Sequence, residues 1–398
     1  MAKGQNGWLF IFQLSPPHAK NPFLFETRIY INLDLEYICM KSTARMLIGP
    51  SDLKPSRTNF RVRGIFNPAA IRLADGRIML LARVAETPLH GERYFLAPRF
   101  AGRDRLKMVI ETIPRHKCRW DKDCFRIHGD IARLPTISHM RKIILDKDGL
   151  QVDHISQRAD FYGLVDDGDF GVEDPRITFL QNEKRYAMTY VSVSALSGVS
   201  TSLAISRDLE SWERKGIIFR QQNKDVAIFP QKINGYYVAL QRPEGTMIFD
   251  KPSIWISYSK DMQFWGKDRP LLRPREGSWE EVRIGPGTVP IKTAEGWLHI
   301  YHGVRYKQKG NDSSPKIYSA GAILFSLENP EKILSITPKD EPLFCPESGF
   351  ETQGFVNNVI FPTAAVSHGK DLLIYSGAAD SNIEVRKIAI KEILNSLG

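Results

Sequence analysis

The run Gly171-Val172-Glu173-Asp174-Pro175-Arg176 holds two carboxylates, a rigid proline and a guanidinium in four consecutive positions, then enters the apolar Ile177-Thr178-Phe179-Leu180. A buried strand has no structural need for that charge at its start. A carboxylate held against low-dielectric sheet is a common way to tune an acid for catalysis. Taken alone, Glu-Asp-Pro-Arg reads better as a salt-bridged surface turn. The recurrence of the same strand start elsewhere in the chain, each time with polar neighbours, favours the chemical reading.

Proline-led strands repeat. Phe66-Asn67-Pro68 leads through Asp75-Gly76 to Ile78–Arg83, and Glu173-Asp174-Pro175 through Asn182-Glu183 to Tyr186–Tyr190. Ile228-Phe229-Pro230 leads through Asn234-Gly235 to Tyr236–Arg242, Thr288-Val289-Pro290 through Glu295-Gly296 to Trp297–His302, and Ile360-Phe361-Pro362 through His368-Gly369 to Leu372–Gly377. Each is a hairpin signal. The prolines stand 107, 55, 60 and 72 residues apart, the mark of a radial repeat. Ser206-x-Asp208-Leu209-x-x-Trp212 and Ser259-x-Asp261-Met262-x-x-Trp265 repeat at a spacing of 53 and suit a turn between outer strands. The pattern predicts an all-β chain: a five-bladed β-propeller over residues 60–398, preceded by an N-terminal extension over 1–59. A β-sandwich is the runner-up, and it leaves five proline-matched hairpins unexplained. The long first interval predicts an insertion in the first blade, over about residues 95–140.

Composition narrows the class. The chain has 398 residues, 42% of them hydrophobic, which fits a globular core. It has no apolar run long enough to span a bilayer, and its start lacks a secretory cleavage pattern, so a cytoplasmic protein without membrane partners is expected. Cys118 and Cys124, near His116, lack the paired spacing of a zinc site. All four cysteines are read as free thiols, with no metal. Between Arg93 and Lys142 stand 13 Lys and Arg against five Asp and Glu, +8 of the chain's +10. No nucleic-acid motif accompanies this basic stretch. An oligomer contact or a rim over the substrate explains it as well, and nucleic acid is not an expected partner.

In a hairpin the start of one strand and the end of the next share an edge. The repeat therefore gathers Asn67, Arg83, Glu173, Asp174, Tyr190, Arg242, Tyr301 and His302 at one mouth, with Lys224, Asp225, Arg283 and Asp380 arriving on adjoining loops. Any one of these reads as a satisfied polar group at a strand end. Together they set carboxylates against Lys224, Arg242, Arg283 and His302, a cluster that repels itself unless an anion sits in it. A phosphate dianion, rich in acceptor oxygens, suits such a cradle.

These motifs, from about Gly64 to Asp380, resemble glycoside hydrolase family 130, the inverting β-mannoside phosphorylases with five-bladed propellers. The resemblance rests on Phe-Asn-Pro, Gly-Val-Glu-Asp-Pro-Arg, Asn-Lys-Asp followed by Phe-Pro, Arg-Pro, Arg-Ile-Gly, Gly-Trp-Leu-x-x-Tyr-His-Gly and Gly-Ala-Ala-Asp. It implies Asp174 as general acid, its proton relayed through the sugar's 3-hydroxyl. It implies Lys224, Arg242, Arg283 and His302 as phosphate ligands with Tyr301 adjacent. Asn67, Arg83, Asp225 and Asp380 would grip the mannosyl unit, and Glu173 and Tyr190, on the same rim, are expected to bind substrate with them. The implied partners are a β-mannoside and inorganic phosphate, with no cofactor. Gln241 stands where many members have histidine, and Arg283 where lysine is frequent. Phosphate is already an anionic nucleophile, so the second carboxylate that an inverting hydrolase needs can be dispensed with. A hydrolase of the same family, with Glu280 or Glu281 as base, is the alternative. A non-catalytic propeller platform is the third reading, and it gives no reason for an acid and a cationic cradle to share one mouth.

Overall fold

The structure is a computed structural model. It describes residues 39–398 apart from 41, 90–92, 102–106, 122–123, 128–130, 166, 221, 245–248 and 309. Most of the expected N-terminal extension thus lies outside the described residues. The described chain is all-β and sorts into five antiparallel four-stranded units. Unit one comprises Phe60–Arg72, Ile78–Pro88, Ile137–Leu145 and Val152–Ile155. Unit two comprises Gly171–Leu180, Arg185–Ser194, Gly198–Ser206 and Glu213–Phe219, and one parallel pairing, Gly171 with Ser138, joins it to unit one. Unit three comprises Asn223–Ile228, Tyr237–Pro243, Ile254–Ser259 and Trp265–Leu272. Unit four has Trp297–Tyr306, Lys316–Phe325 and Ile333–Ile336 behind a first strand broken into Arg283–Pro286 and Ile291–Lys292.

Unit five is built from both ends of the described chain. Ile360–His368, Asp371–Ala378 and Asn382–Ala389 are joined by Ala44–Ile48, with Ala44 opposite Arg386 and Met46 opposite Glu384. Residues 44–48, counted in the extension on sequence, are therefore a strand of the repeat. Next to them Cys39 and Cys345 form a disulfide across 306 residues, their Cα atoms 6.0 Å apart. This corrects the expectation of four free thiols. The pairing had no spacing signal because the two cysteines meet only when the ends of the chain meet. Cys118 and Cys124 are in no disulfide. No helix among the described residues is long and apolar enough to cross a membrane.

The strands are buried on both faces, and alternate residues serve different cores. Met79 and Leu81 pack with Ile177 and Met188 between units one and two, while Leu80 and Val84 pack with Leu373 and Val385 between units five and one. Leu203 and Ala187 meet Val226 and Ala239 between two and three, and Val238 and Leu240 meet Trp297 and Ile323 between three and four. Leu298 and Ile300 meet Leu372 and Ile374 between four and five. Burial of this kind, at roughly 25 cal/mol per Å² of apolar surface, is what holds each unit to its neighbours. A cleft of about 280 Å³ is lined by residues of all five units, among them Ile71, Phe179, Pro230, Ile291 and Val366.

The two Ser-x-Asp repeats form the same turn. Ser206 and Ser259 accept from the backbone of Leu209 and Met262, both left-handed, and Asp208 and Asp261 each cap two further amides. The basic insertion folds as a hairpin, Tyr94–Phe100 with Met108–Pro114, followed by a three-stranded sheet of Arg119–Asp121, Cys124–Ile127 and Ile131–Arg133. It closes on Phe95, Trp120 and Phe125, with ring centroids 5.0–6.3 Å apart. The Phe100 amide donates to the Asp169 carbonyl at 2.7 Å, tying the insertion to the segment that leads into Gly171.

Candidate functional site

The first strands of units one, two and three each carry a β-bulge, at Asn67-Pro68, Asp174-Pro175 and Asp225-Val226. At each bulge the polar residue adopts a left-handed backbone, with φ of 50°, 49° and 61°. Asn and Asp tolerate that conformation better than other residues with a side chain, and a bulge re-aims the side chain that it carries. Three polar groups are thereby turned out of their ladders by one local device. Of the prolines used to align the repeat, Pro68 and Pro175 are the second residue of a bulge. Pro230 and Pro290 lie beyond the strands Asn223–Ile228 and Arg283–Pro286. The structural counterpart of Asp174 in unit three is therefore Asp225, not a residue beside Pro230.

Opposite these bulges the second strands contribute by parity. Arg83 lies two residues beyond Leu81 and faces unit two. Arg242 lies two beyond Leu240 and faces unit four, and His302 two beyond Ile300 and faces unit five. The equivalent position in unit two, opposite Glu173, is Val191. Tyr190 and Tyr301 stand one residue off this register and turn toward the preceding unit. The Tyr190 hydroxyl donates to Asp167, which also receives Arg214, and its ring packs on Phe161. The Tyr301 hydroxyl donates to Glu280 at 2.5 Å, and its ring packs on Trp279. Both tyrosines are anchors of the core, a correction to their placement on the rim.

The acid side draws on units one, two and five. Asp174 Oδ1 accepts from Asn67 Nδ2 at 3.0 Å and Arg83 Nη1 at 3.3 Å. Glu173 Oε1 accepts from Arg83 Nη2 at 2.6 Å, and Ser138 Oγ accepts from Arg83 Nε at 3.0 Å. Asp380, left-handed at φ 48°, feels this group: burial, with Asp174 and Glu173 adding against Arg83 and Lys224, pushes its carboxyl up to about 6. Gly377 allows the approach, since a Cβ there would lie 2.0 Å from Asn67 Oδ1.

The cationic side belongs to units three and four. Asp225 Oδ2 accepts from Arg242 Nε at 3.0 Å, and its Oδ1 from Arg176 Nη2 at 3.3 Å. Burial opposes its ionisation, but Arg242 and Arg176, with His302 and Lys224, outweigh it and hold the pKa at about 2. Both Asp225 oxygens are thus engaged by guanidinium groups. His302 is fully buried against Phe361, and neither ring nitrogen has a hydrogen-bond partner among the described residues. Burial, reinforced by Arg242, Arg176 and Arg283 against Asp225, lowers its pKa to about 3, so the ring is neutral at physiological pH. Lys224 makes no hydrogen bond or ion pair among the described residues. Gly285, from the Arg-Ile-Gly motif, is required here: a Cβ would lie 2.5 Å from His302 Cε1 and 2.9 Å from Arg242 Cδ.

Sequence reasoning gave no role to four residues of this site. Arg176 is buried beneath it and donates to the carbonyls of Gly287 at 3.1 Å and Asp174 at 2.9 Å as well as to Asp225, so one guanidinium joins the two sides. Its place in the Glu-Asp-Pro-Arg run was the available signal. Ser138 seats Arg83. Glu244 pairs with Arg242 at 2.5 Å and stands 3.8 Å from Arg283. Tyr318 lies in the field of Arg283, Asp380, Arg242 and Glu244, where burial raises its hydroxyl pKa. Its signal was parity with Ala320, Ala322 and Leu324, which all face unit five. Glu280, a candidate base on sequence, is fully buried between Arg275 and Tyr301. Among the described residues no group of three or more His, Cys, Asp or Glu is placed to hold a metal ion.

Comparison with known proteins gives a consistent picture. The glycoside hydrolase family 130 model, described as β-1,4-mannooligosaccharide phosphorylase, matches residues 147–398. A β-1,2-mannobiose phosphorylase of Listeria innocua serovar 6a is 34% identical over 357 residues, 88% of this chain and 96% of the relative. A 1,2-β-oligomannan phosphorylase of Thermoanaerobacter sp. is 36% identical over 223 residues, 56% of this chain and 70% of the relative. Among solved structures, the Listeria innocua β-1,2-mannobiose phosphorylase in complex with β-1,2-mannobiose is similar with a TM-score of 0.79 at 33% identity, over 88% of this chain and 96% of that one.

Proposed function

Because the chain belongs to glycoside hydrolase family 130, we propose that it is a phosphorylase that cleaves β-mannosides with inorganic phosphate, releasing α-mannose 1-phosphate and a shortened sugar. The observation that carries this reading is the buried, doubly unpartnered imidazole of His302 beside Lys224, Arg242 and Arg283. A buried polar group without a partner is costly, and a ligand oxygen removes the cost. A phosphate oxygen would receive the imidazole N–H together with the charged donors, and the cradle would hold it in line behind the anomeric carbon. Attack there forms the new C–O bond as the glycosidic bond breaks, inverting the centre. Asp174, held by Asn67 and Arg83, supplies the proton that the departing sugar oxygen takes up. Asp380 and Arg83 are the groups best placed to grip the mannosyl hydroxyls, while Asp225, with each oxygen held by an arginine, orients Arg242 and keeps acceptor capacity for a sugar hydroxyl.

The family's propeller is the architecture we infer for the five units. Its support is a core between every successive pair, including five and one, and the cleft that all five units line. The names of the relatives favour β-1,2-linked mannosides as substrates. The hydrolytic alternative loses one candidate base, since Glu280 is committed to Arg275 and Tyr301. The test is sugar release from β-1,2- and β-1,4-mannobiose with and without phosphate. Release that nearly stops in phosphate-free buffer, with α-mannose 1-phosphate formed when phosphate returns, is the expected result. Cleavage undiminished without phosphate would make water the nucleophile.

A further inference from the structure

Glu244 sits where the cationic side needs an anion. Its Oε1 lies 2.5 Å from Arg242 Nη1 and 3.8 Å from Arg283 Nε, so one carboxylate bridges two of the residues assigned to phosphate. Both contacts are ion pairs without hydrogen-bond geometry: Arg242 Nη1 has no hydrogen-bond partner, and among the described residues the Glu244 side chain has no further ion pair. Its backbone is held: the Glu244 amide donates to the Gln222 carbonyl at 2.8 Å, and the Gln222 amide returns a bond at 3.3 Å. The side chain is 22% exposed and borders a cleft of about 1170 Å³, whose wall carries cations such as Arg220 and Lys251 interspersed with carboxylates such as Asp250, Glu276 and Glu281. A rotation about the side-chain bonds is therefore enough to carry the carboxylate from the two arginines into the open, solvent-filled cleft, with no movement of the strand.

We propose that Glu244 is a resident counter-ion of the phosphate cradle, which incoming phosphate displaces into the neighbouring cleft. The inference rests on the cradle being a phosphate site. In the empty enzyme the carboxylate offsets the repulsion between Arg242 and Arg283 that an open cradle would otherwise carry. In the loaded enzyme phosphate takes over both guanidinium groups. The cost is competition: phosphate binds only the fraction of molecules in which Glu244 has swung away, and its apparent affinity is reduced by that fraction. Glu244 thus sets the phosphate concentration at which the enzyme works without touching the sugar.

The test is calorimetric titration of phosphate into the wild-type protein and into Glu244→Gln, which keeps the shape and removes the charge. With Glu244 resident in the cradle for most of the time, the phosphate Kd of the variant should fall by about tenfold. The unliganded variant should also melt at a lower temperature than wild type and regain more on adding phosphate. A folded Glu244→Gln whose phosphate Kd is unchanged or higher overturns the proposal, because the carboxylate would then be holding the arginines in place for phosphate. Phosphate binding by wild type in that same experiment leaves the phosphorylase reading standing, whereas a wild type that neither binds nor requires phosphate removes both. The wild-type enzyme crystallised with phosphate provides a measurement independent of the variant's folding. Glu244 should be withdrawn from Arg242 and Arg283 there, and a carboxylate still bridging both would refute displacement.

Discussion

The two sides of the site are made from equivalent positions of one repeat yet solve opposite problems. On the acid side Arg83 answers Glu173 and Asp174 directly, Asn67 adds a second donor to Asp174, and Asp380 is left as a carboxyl that burial keeps partly protonated near neutrality. On the cationic side Asp225 takes the equivalent bulge position but is flanked by two arginines, and His302, its Nε2 4.0 Å from Asp225, and Lys224 make no hydrogen bond among the described residues. One side is nearly closed on itself; the other has donors to spare. A repeat fixes where side chains converge, and the residue types at each copy then decide whether the convergence holds a proton or awaits an anion.

Removing the acid should have the largest effect. Asp174→Asn keeps the hydrogen-bonding shape and loses the proton, so kcat should fall by at least about 10²–10⁴-fold while phosphate still binds. A variant within about threefold of the parent's kcat would assign the proton to another group. On the other side Arg242→Ala should spare mannoside binding and lower kcat/KM for phosphate by about ten- to a hundredfold, the equivalent of a charged hydrogen bond of roughly 1.5–3 kcal/mol. Arg176 still holds Asp225 in that variant, so the loss can be read as phosphate contact. An equal loss in KM for the sugar would mean that the two sides are not separable.

The smallest predicted effect is on stability, and it has opposite signs on the two sides. A carboxyl raised to about 6, as in Asp380, penalises the folded state where it is ionised. That penalty is present above about pH 6 and fades as the pH falls toward the unfolded value near 4. Asp225, held at about 2, instead contributes stability above about pH 4 that is lost as the pH falls through 2. Asp380→Asn should therefore raise Tm by about 2–4 °C at pH 7.5 and by clearly less at pH 4.5. Thermal melts that shift equally at both pH values, or downward at pH 7.5, would show that its contact with Arg83 outweighs its burial.

How much of this was legible in the chain follows from which interactions are local. Hairpins, their glycine turns and the Ser-x-Asp turns are set by neighbours within a few residues, so the repeat and the all-β class could be read directly. The Glu173-Asp174-Pro175-Arg176 run could be singled out because such charge at the head of an apolar strand has a cost that packing alone does not explain. The proline alignment misled in units three and four, because Pro230 and Pro290 follow the strand end whereas Pro68 and Pro175 lie within a bulge. A bulge adds one residue, and one residue reverses which face a side chain takes. Tyr190 and Tyr301, on second strands, stand one residue off the parity of Arg83, Arg242 and His302, and alternate residues of a strand face opposite sides, so they belonged to the site on sequence and to the core in the fold.

The sequence by itself determined the hairpins, their turns, the Glu-Asp-Pro-Arg motif and the cationic residue types, since each depends on local backbone preference and composition. Only the tertiary structure decided which of those types meet. Arg176 reaching both Asp174 and Asp225, Cys39 meeting Cys345 across 306 residues, and Glu244 lying between Arg242 and Arg283 all require units to be seated against one another. Those contacts join segments whose separation along the chain has no fixed period, and their geometry follows from strand parity and inter-unit packing.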